Sequence, residues 1–267
     1  MARNGASGGL TALGRKEVLA GDRLPYLALV DDNVVLLRDG SVMISLMVPG
    51  LAFETVDTEE LNIHAATREV LLRSALDARF VLYHHVIRRQ VSVELESRFD
   101  DPLCAHIDAR WREKTGSGAL YVNDQFITLV RRPARGKAGW ADRISRMMKR
   151  RGSADIAADV GDVRSLRAAA GALAASLGAY GARLLGDYEA QAGRCSEVLE
   201  LLSALYNGEM RPVRRPAEGA DIGHMLPYKR VSFGLDALEV RGSAGRRVSA
   251  LVSLQGYPVS TAPRLPN

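Results

Sequence analysis

From Leu24 onward, short apolar runs alternate with clusters of turn-forming residues. The stretch LPYLALVDDNVVLLRDGSVMISLMVPG holds three such runs, separated by Asp31-Asp32-Asn33 and by Asp39-Gly40. An Asp-Gly pair between β-forming residues marks a hairpin, because glycine accepts the left-handed backbone of a tight turn. Strands are therefore expected at about 25–30, 34–38 and 41–48. Asp57 with Glu60 three positions later reads as a helix start, and Leu61, Ala65, Leu72 and Leu76 then share one face of a helix over about 58–77. Residues 80–96, FVLYHHVIRRQVSVELE, are dense in Val, Ile, Phe and Tyr, as a long strand should be. Asp101-Pro102 opens a second helix through about Lys114, since proline suits the first helical position. Residues 119–133, ALYVNDQFITLVRRP, supply another strand, with Asn123-Asp124 a candidate interruption and Pro133 a stop.

This order of strands, helix, strand, helix, strand predicts an α+β fold: a mostly antiparallel sheet with helices on one face, ferredoxin-like with an extra hairpin. A helical segment and a few short strands follow it. The expected organisation is a flexible leader over 1–22, rich in Gly, Ser and Ala, and an N-terminal α+β module over 23–133. A basic linker with a short helix then occupies 134–161, and a helical segment ending in short strands occupies 162–267. Within that last part, Asp162 to about Asp187 reads as one Ala-rich helix. Ser196, followed by Val198, Leu199, Leu202 and Leu205, starts another that stops at Asn207-Gly208. KRVSFG and RRVSALVSLQG read as short strands.

Composition narrows the class. A chain of 267 residues that is 47% hydrophobic and 25% charged is neither wholly disordered nor fibrous. Its two cysteines, Cys104 and Cys195, exclude a disulfide scaffold and suit a reducing cytoplasm. No run approaches the roughly 20 apolar residues of a spanning helix, and the first residues lack the apolar core of a signal peptide. A soluble protein, attached at most peripherally to a membrane, is expected. The net charge of +5 is not evenly spread. Between Arg131 and Arg151 stand nine basic residues, Arg131, Arg132, Arg135, Lys137, Arg143, Arg146, Lys149, Arg150 and Arg151, against the single acid Asp142. That segment carries +8, which leaves 27 basic and 30 acidic residues elsewhere, a net of −3.

No recognised catalytic pattern accompanies this charge. A phosphate loop needs G-x-x-x-x-G-K-[ST], so that backbone N–H groups wrap the phosphates while lysine and hydroxyl reach the terminal phosphate and the metal. Gly136-Lys137-Ala138 comes nearest, but it lacks the hydroxyl, and Arg131 stands where the first glycine belongs. Gly5-Ala6-Ser7-Gly8-Gly9 spells a nucleophile elbow without the preceding strand that would strain it. His64, His84, His85, His106, His224 and the two cysteines match no zinc spacing, and His84 and His85 fall on opposite faces of a strand. No catalytic, cofactor or metal-binding residue is assigned. The nine basic residues are candidate contacts to an anionic membrane surface or to nucleic-acid phosphates, with a solvated linker as the plain alternative. Trp140 is the one aromatic among them, which disfavours base stacking and hence sequence-specific recognition.

The stretches LPYLALVDDNVVLLRDGSVMISLMVPGLAFETVDTEELN, VLYHHVIRRQ, NDQFITLVRRP, SEVLELLSALYNGE and SLQGYPVSTAPRL, in this order, resemble the N-terminal region of the type IV secretion ATPases of the CagE/TrbE/VirB family. The resemblance implies a cytoplasmic protein peripheral at the bacterial inner membrane. Its implied partners are other type IV secretion components and further copies of itself, in a machine for conjugation or effector export. ATP and magnesium belong to the family's C-terminal domain. No position here aligns with its Walker motifs, so the chain is expected to be inactive alone and to act as a scaffolding and docking portion. A non-specific nucleic-acid-binding module built on 131–151, or a nonfunctional truncated remnant, are the alternatives.

Overall fold

The computed structural model describes residues 19–50, 57–91, 98–116, 120–134, 158–191, 193–235, 237–242 and 245–253. The expectations for the leader before residue 19, for residues 135–157 of the basic linker and for the far end of the 80–96 strand lie outside them. Strands β1 (Tyr26–Leu29), β2 (Val34–Leu37) and β3 (Val42–Met47) form a meander, preceded by a single helical turn α1 (Ala20–Arg23). Its turns are held by short acids: Asp31 Oδ1 accepts from the backbone N–H of Asn33 and Val34 at 3.0 and 2.9 Å, and Asp39 Oδ1 from that of Ser41 at 2.9 Å. Gly40, at φ 85°, takes the left-handed position that the Asp-Gly pair promised.

After β3 come helix α2 (Thr58–Ala75), strand β4 (Phe80–Gln90), helix α3 (Pro102–Gly116) and strand β5 (Tyr121–Arg131). The sheet order is β1-β2-β3-β5-β4, every pairing antiparallel. Thus β3, α2 and β4 make a split β-α-β with β5 inserted between its strands. The fold is α+β on a mostly antiparallel sheet. Asn123-Asp124 does not interrupt β5, because Arg88 and Ile87 of β4 lie directly opposite Asn123 and Asp124, and Arg89, two positions along from Ile87, donates to the Asp124 carboxylate. Asp101 opens α3 as expected, its Oδ1 accepting from Leu103 N at 2.7 Å. Asp57 stands extended before α2 but makes no side-chain capping bond.

Both faces of the central strands are apolar, and each is covered. On one face Val34, Leu36, Val42, Ile44, Leu46 and Leu129 meet Leu166, Ala169, Ala170 and Leu173 of helix α4 (Val160–Ser176), with α2 stacked against α4 on the same side. The small side chains of α4 let it approach closely. On the other face Val35, Leu37, Met43 and Phe126 meet Val198, Leu199, Leu201 and Leu202 of helix α5 (Glu197–Asn207). Helices α2 and α4 therefore share one side, and α5 closes the opposite one.

Asp159 caps α4 by accepting from Asp162 N at 2.8 Å. The helix is shorter than its composition suggested. A 3-10 turn at Gly178–Tyr180 and Gly181 at φ 69° end it, and β6 (Arg183–Leu184) then pairs with Leu46 and Met47 of β3. Strands β7 (Asp187–Ala190) and β8 (Gly193–Ser196) form a hairpin before α5. Gly208, at φ 74°, terminates α5 where Asn207-Gly208 predicted. The buried Asn207 amide donates to Ser203 O, Ser203 Oγ and Leu226 O and accepts from Tyr228 N and Lys229 N, tying the following chain to the helix. The tail is a three-stranded sheet of β9 (Arg230–Phe233), β10 (Leu238–Gly242) and β11 (Gly245–Ser249). Its middle strand was not evident in the sequence.

Leu166 is fully buried, whereas Leu103 of α3 is 65% exposed. Leu166→Ala should lower stability by about 2–5 kcal/mol, and Leu103→Ala should stay within about 0.5 kcal/mol of wild type. Urea midpoints of the two variants check this contrast.

Candidate functional site

The chain departs for the basic segment at the end of β5 and returns at the start of α4, and a cluster of charges joins these two points. Arg131, the last residue of β5, is only 8% exposed. Its Nε donates to Asp162 Oδ1 at 3.0 Å and its Nη1 to Asp77 Oδ2 at 3.2 Å, while the guanidinium lies 4.8 Å above the Phe80 ring. Arg79 Nη2 donates to the same Asp162 oxygen at 2.5 Å, and Arg79 also donates twice to the carbonyl of Arg132. The fold supplies each position. Asp162 sits in the first turn of α4, where a helix favours a negative charge, and Asp77 and Arg79 lie in the turn between α2 and β4.

Two guanidiniums and two carboxylates make a neutral set, which is the condition for burying charge without an uncompensated ion. Burial opposes the charge on Arg131, but hydrogen bonds to Asp162 and Asp77 outweigh it and hold the guanidinium above its ordinary range. The backbone N–H of Arg79, aided by Arg131, holds the Asp77 carboxyl below the usual carboxylate range. Arg79, Arg131 and Asp162 line a cleft of about 450 Å³ together with Pro133, Ala134, Asp159, Gly161 and Ser165. With its charges mutually engaged, the cluster acts as a latch rather than as a nucleophile or an anion cradle.

Of the sequence-predicted contacts, Arg131 is thus engaged inside the protein, and Arg132 is exposed. Arg135, Lys137, Arg143, Arg146, Lys149, Arg150 and Arg151 lie outside the described residues. Asp77, Arg79 and Asp162 escaped the sequence reading. The one available signal was Asp77, an acid just past a helix C-terminus, where the helix dipole disfavours it.

The histidines are dispersed. His84 meets Gln125 Oε1, and His85, on the opposite face of β4, meets Thr128 Oγ1, which in turn bonds Ser45 Oγ at 2.8 Å. Burial, with His84 alongside, pushes the pKa of His85 down. Cys104 is exposed and Cys195 buried, both as free thiols. Among the described residues, no group of three or more His, Cys, Asp or Glu side chains is placed to hold a metal ion, and no helix is long and apolar enough to cross a membrane.

Two further surfaces stand out. Leu103, Ile107 and Trp111, four residues apart on α3, form an exposed apolar stripe. Leu82, Tyr83 and Val86 are exposed on β4, the last strand of the sheet.

Comparison with known proteins places these elements in a family. Residues 33–138, spanning β2 to β5, match the N-terminal domain of the type IV secretion system ATPase VirB4/TrbE. Residues 183–267 match the CagE, TrbE, VirB family, component of type IV transporter system. The chain belongs to the VirB4/TrbE family. It is 30% identical over 93% of its length to the type IV secretion system protein virB4 of Bartonella henselae, and 33% identical over 91% to the protein virB4 of Agrobacterium fabrum. The type IV secretion system protein PtlC of Bordetella pertussis is 25% identical over the whole chain. The chain spans about a third of the length of these family members, 32%, 30% and 32% respectively.

Asp162→Ala should destabilise the protein by about 3–5 kcal/mol, because it leaves Arg131 buried without its main partner. Replacing the pair together, as Arg131→Met with Asp162→Leu, should recover most of that loss. Chemical denaturation of the two variants checks both. Because the Asp77 carboxyl titrates below its ordinary range in the folded state, its contribution is present above about pH 4 and fades as pH falls through and below that value. Denaturation midpoints between pH 5 and pH 3 should therefore fall more for wild type than for Asp77→Asn.

Proposed function

We propose that this chain is a scaffolding and docking portion of a type IV secretion machine, working at the bacterial inner membrane alongside other secretion components. Membership of the VirB4/TrbE family carries this reading. Geometry supports it in a specific way. A sheet covered on both faces is a stiff frame, and it presents α3 with its apolar stripe of Leu103, Ile107 and Trp111, an arrangement suited to seating against an apolar groove of a partner. Nucleotide hydrolysis, which the family description implies, is assigned to no residue of this chain. Conjugation and effector export are equally served by such a frame.

The basic segment has a second role in this proposal, as contact to an anionic surface. Arg132, Arg135, Lys137, Arg143, Arg146, Lys149, Arg150 and Arg151 carry it, and the acidic headgroups of the cytoplasmic leaflet are the favoured counterpart, since each cation near such a surface contributes about 1 kcal/mol.

Coexpression of the folded chain with inner-membrane components of the same secretion system tests the docking role. Retention on an affinity column is the expected outcome, weakened at least about tenfold by Ile107→Glu. No association would refute it. For the surface contact, replacing Arg143, Arg146, Lys149 and Arg150 together by Ala should abolish sedimentation with vesicles containing acidic lipid, and wild-type binding should weaken as salt is raised. Binding to duplex DNA that exceeds binding to vesicles would favour the nucleic-acid reading instead.

A further inference from the structure

Three arginines stand side by side on the tail sheet. Residues directly opposite on neighbouring strands share a face, and the register sets Arg230 of β9 against Arg241 of β10, and Arg241 against Arg246 of β11. Like charges so placed destabilise a sheet, because their Cβ atoms are only about 4.5–5.5 Å apart. One carboxylate answers them. Glu239, two positions from Arg241 and therefore on the same face, accepts from Arg241 Nε and lies 3.4 Å from Arg246 Nε. The Arg230 guanidinium meets no carboxylate among the described residues. Three cations against one anion leave the row at +2.

The row faces outward. The opposite face of the sheet carries Val231, Val240 and Arg247; Val240 is buried, and Arg247 runs beside Gly208 at the end of α5, so that side lies against the body. The side chains of Arg241 and Arg246 are 65% and 66% exposed, and Arg230 is exposed with them. Ser232 and Val248, opposite Glu239, complete the outward face.

We propose that this face binds an acidic helix of a partner protein, whose carboxylates at positions i, i+4 and i+7 pair with Arg230, Arg241 and Arg246. This goes beyond the docking reading of α3 and does not depend on it. Spacing selects a helix. Two strand separations make the row about 9.6 Å long, and residues i and i+7 of a helix lie about 10.5 Å apart along its axis. In an extended segment, acids on one face recur every ~6.8 Å, so three of them span about 13.6 Å and overrun the row. Chemistry selects carboxylates among the anions a guanidinium fork can take. No aromatic stands on this face to stack on a base, which disfavours single-stranded nucleic acid. A row at +2 also falls short of the roughly four to eight clustered cations that mark binding to acidic lipid.

The probe is a fluorescein-labelled helical peptide with glutamates at i, i+4 and i+7, read by fluorescence anisotropy against the full chain. Arg143, Arg146, Lys149 and Arg150 are all replaced by Ala in this background, so that the basic segment adds no attraction. Saturable binding with a dissociation constant below about 100 µM is expected. Arg230→Gln with Arg246→Gln should weaken it at least about tenfold, without lowering the thermal midpoint, since repulsion along the row is relieved. Arg230→Gln alone, which severs no ion pair, should weaken it at least about threefold. A peptide of the same composition with glutamates at i, i+2 and i+4, which cannot share one helical face, should bind at least about fivefold more weakly. Absence of saturable binding would overturn the proposal, as would equal affinity for the two peptides or a double variant that binds like its parent. So would tighter binding, through the same two arginines, to acidic-lipid vesicles, to single-stranded DNA or to a second copy of the chain detected by light scattering.

Discussion

The fold depends on one constraint: β2 and β3 are apolar on both faces. Val34 and Leu36 need cover on one side and Val35 and Leu37 on the other, and the same holds for Ile44 and Leu46 against Met43. A strand of this kind cannot rest half in water, because leaving either row exposed forfeits about 1.5–3 kcal/mol per large side chain. Cover comes from α4 on one side and α5 on the other, both well downstream of the strands they cover. The meander, the split β-α-β and the two later helices are thus parts of one packing solution.

Charge then sets how those later helices meet the sheet. Arg131 and Asp162 bring the end of β5 and the first turn of α4 together, and Arg38 does the same for a later turn, donating to both carboxylate oxygens of Asp221 at 2.9 Å. Asp221 in turn accepts from Gly223 N, so the arginine fixes a turn whose backbone is already shaped by the same acid. Such pairs are poor sources of net stability, since desolvation offsets much of the attraction. Their effect is positional. A carboxylate that must meet two guanidiniums allows α4 one placement along the sheet, which apolar packing with small alanines would leave loosely set.

Much of this was legible in the sequence, and the parts that were not share a cause. The meander showed itself through turn chemistry, Asp31 and Asp39 bonding the backbone ahead of them. Helix α5 showed itself through its apolar face and its glycine stop. Where the reading depended on distant partners it failed. Arg131 counted as one basic residue among nine, because nothing local says that Asp162, 31 positions on, will take its charge. The Ala-rich stretch after Asp162 has helical composition throughout, yet Gly178 and Gly181 turn it into β6, a strand that makes sense only beside Leu46 and Met47. Strand β10, LEVRG, has neither the alternation nor the β-branched density of a free-standing signal, and its partners β9 and β11 define it. The apolar stripe of α3 was present in the sequence at four-residue spacing, but only the structure leaves it exposed.

The latch also changes what the basic segment is. Counted along the chain it carries +8, but Arg131 belongs to the neutral cluster within the fold, so eight cations against Asp142 leave +7. The rest of the chain, Arg131 included, is net −2. At physiological ionic strength fields decay over about 8 Å, so acids more distant than that do little to offset a run of like charges. The overall charge of +5 therefore misstates the electrostatics. An approaching anionic surface would respond to the local +7, and its ends are fixed, with Ala134 and Asp159 on the walls of one cleft. Because the residues that hold those walls are themselves neutralised, the segment's charge can vary without disturbing the frame, and the frame can be altered without altering the segment's charge.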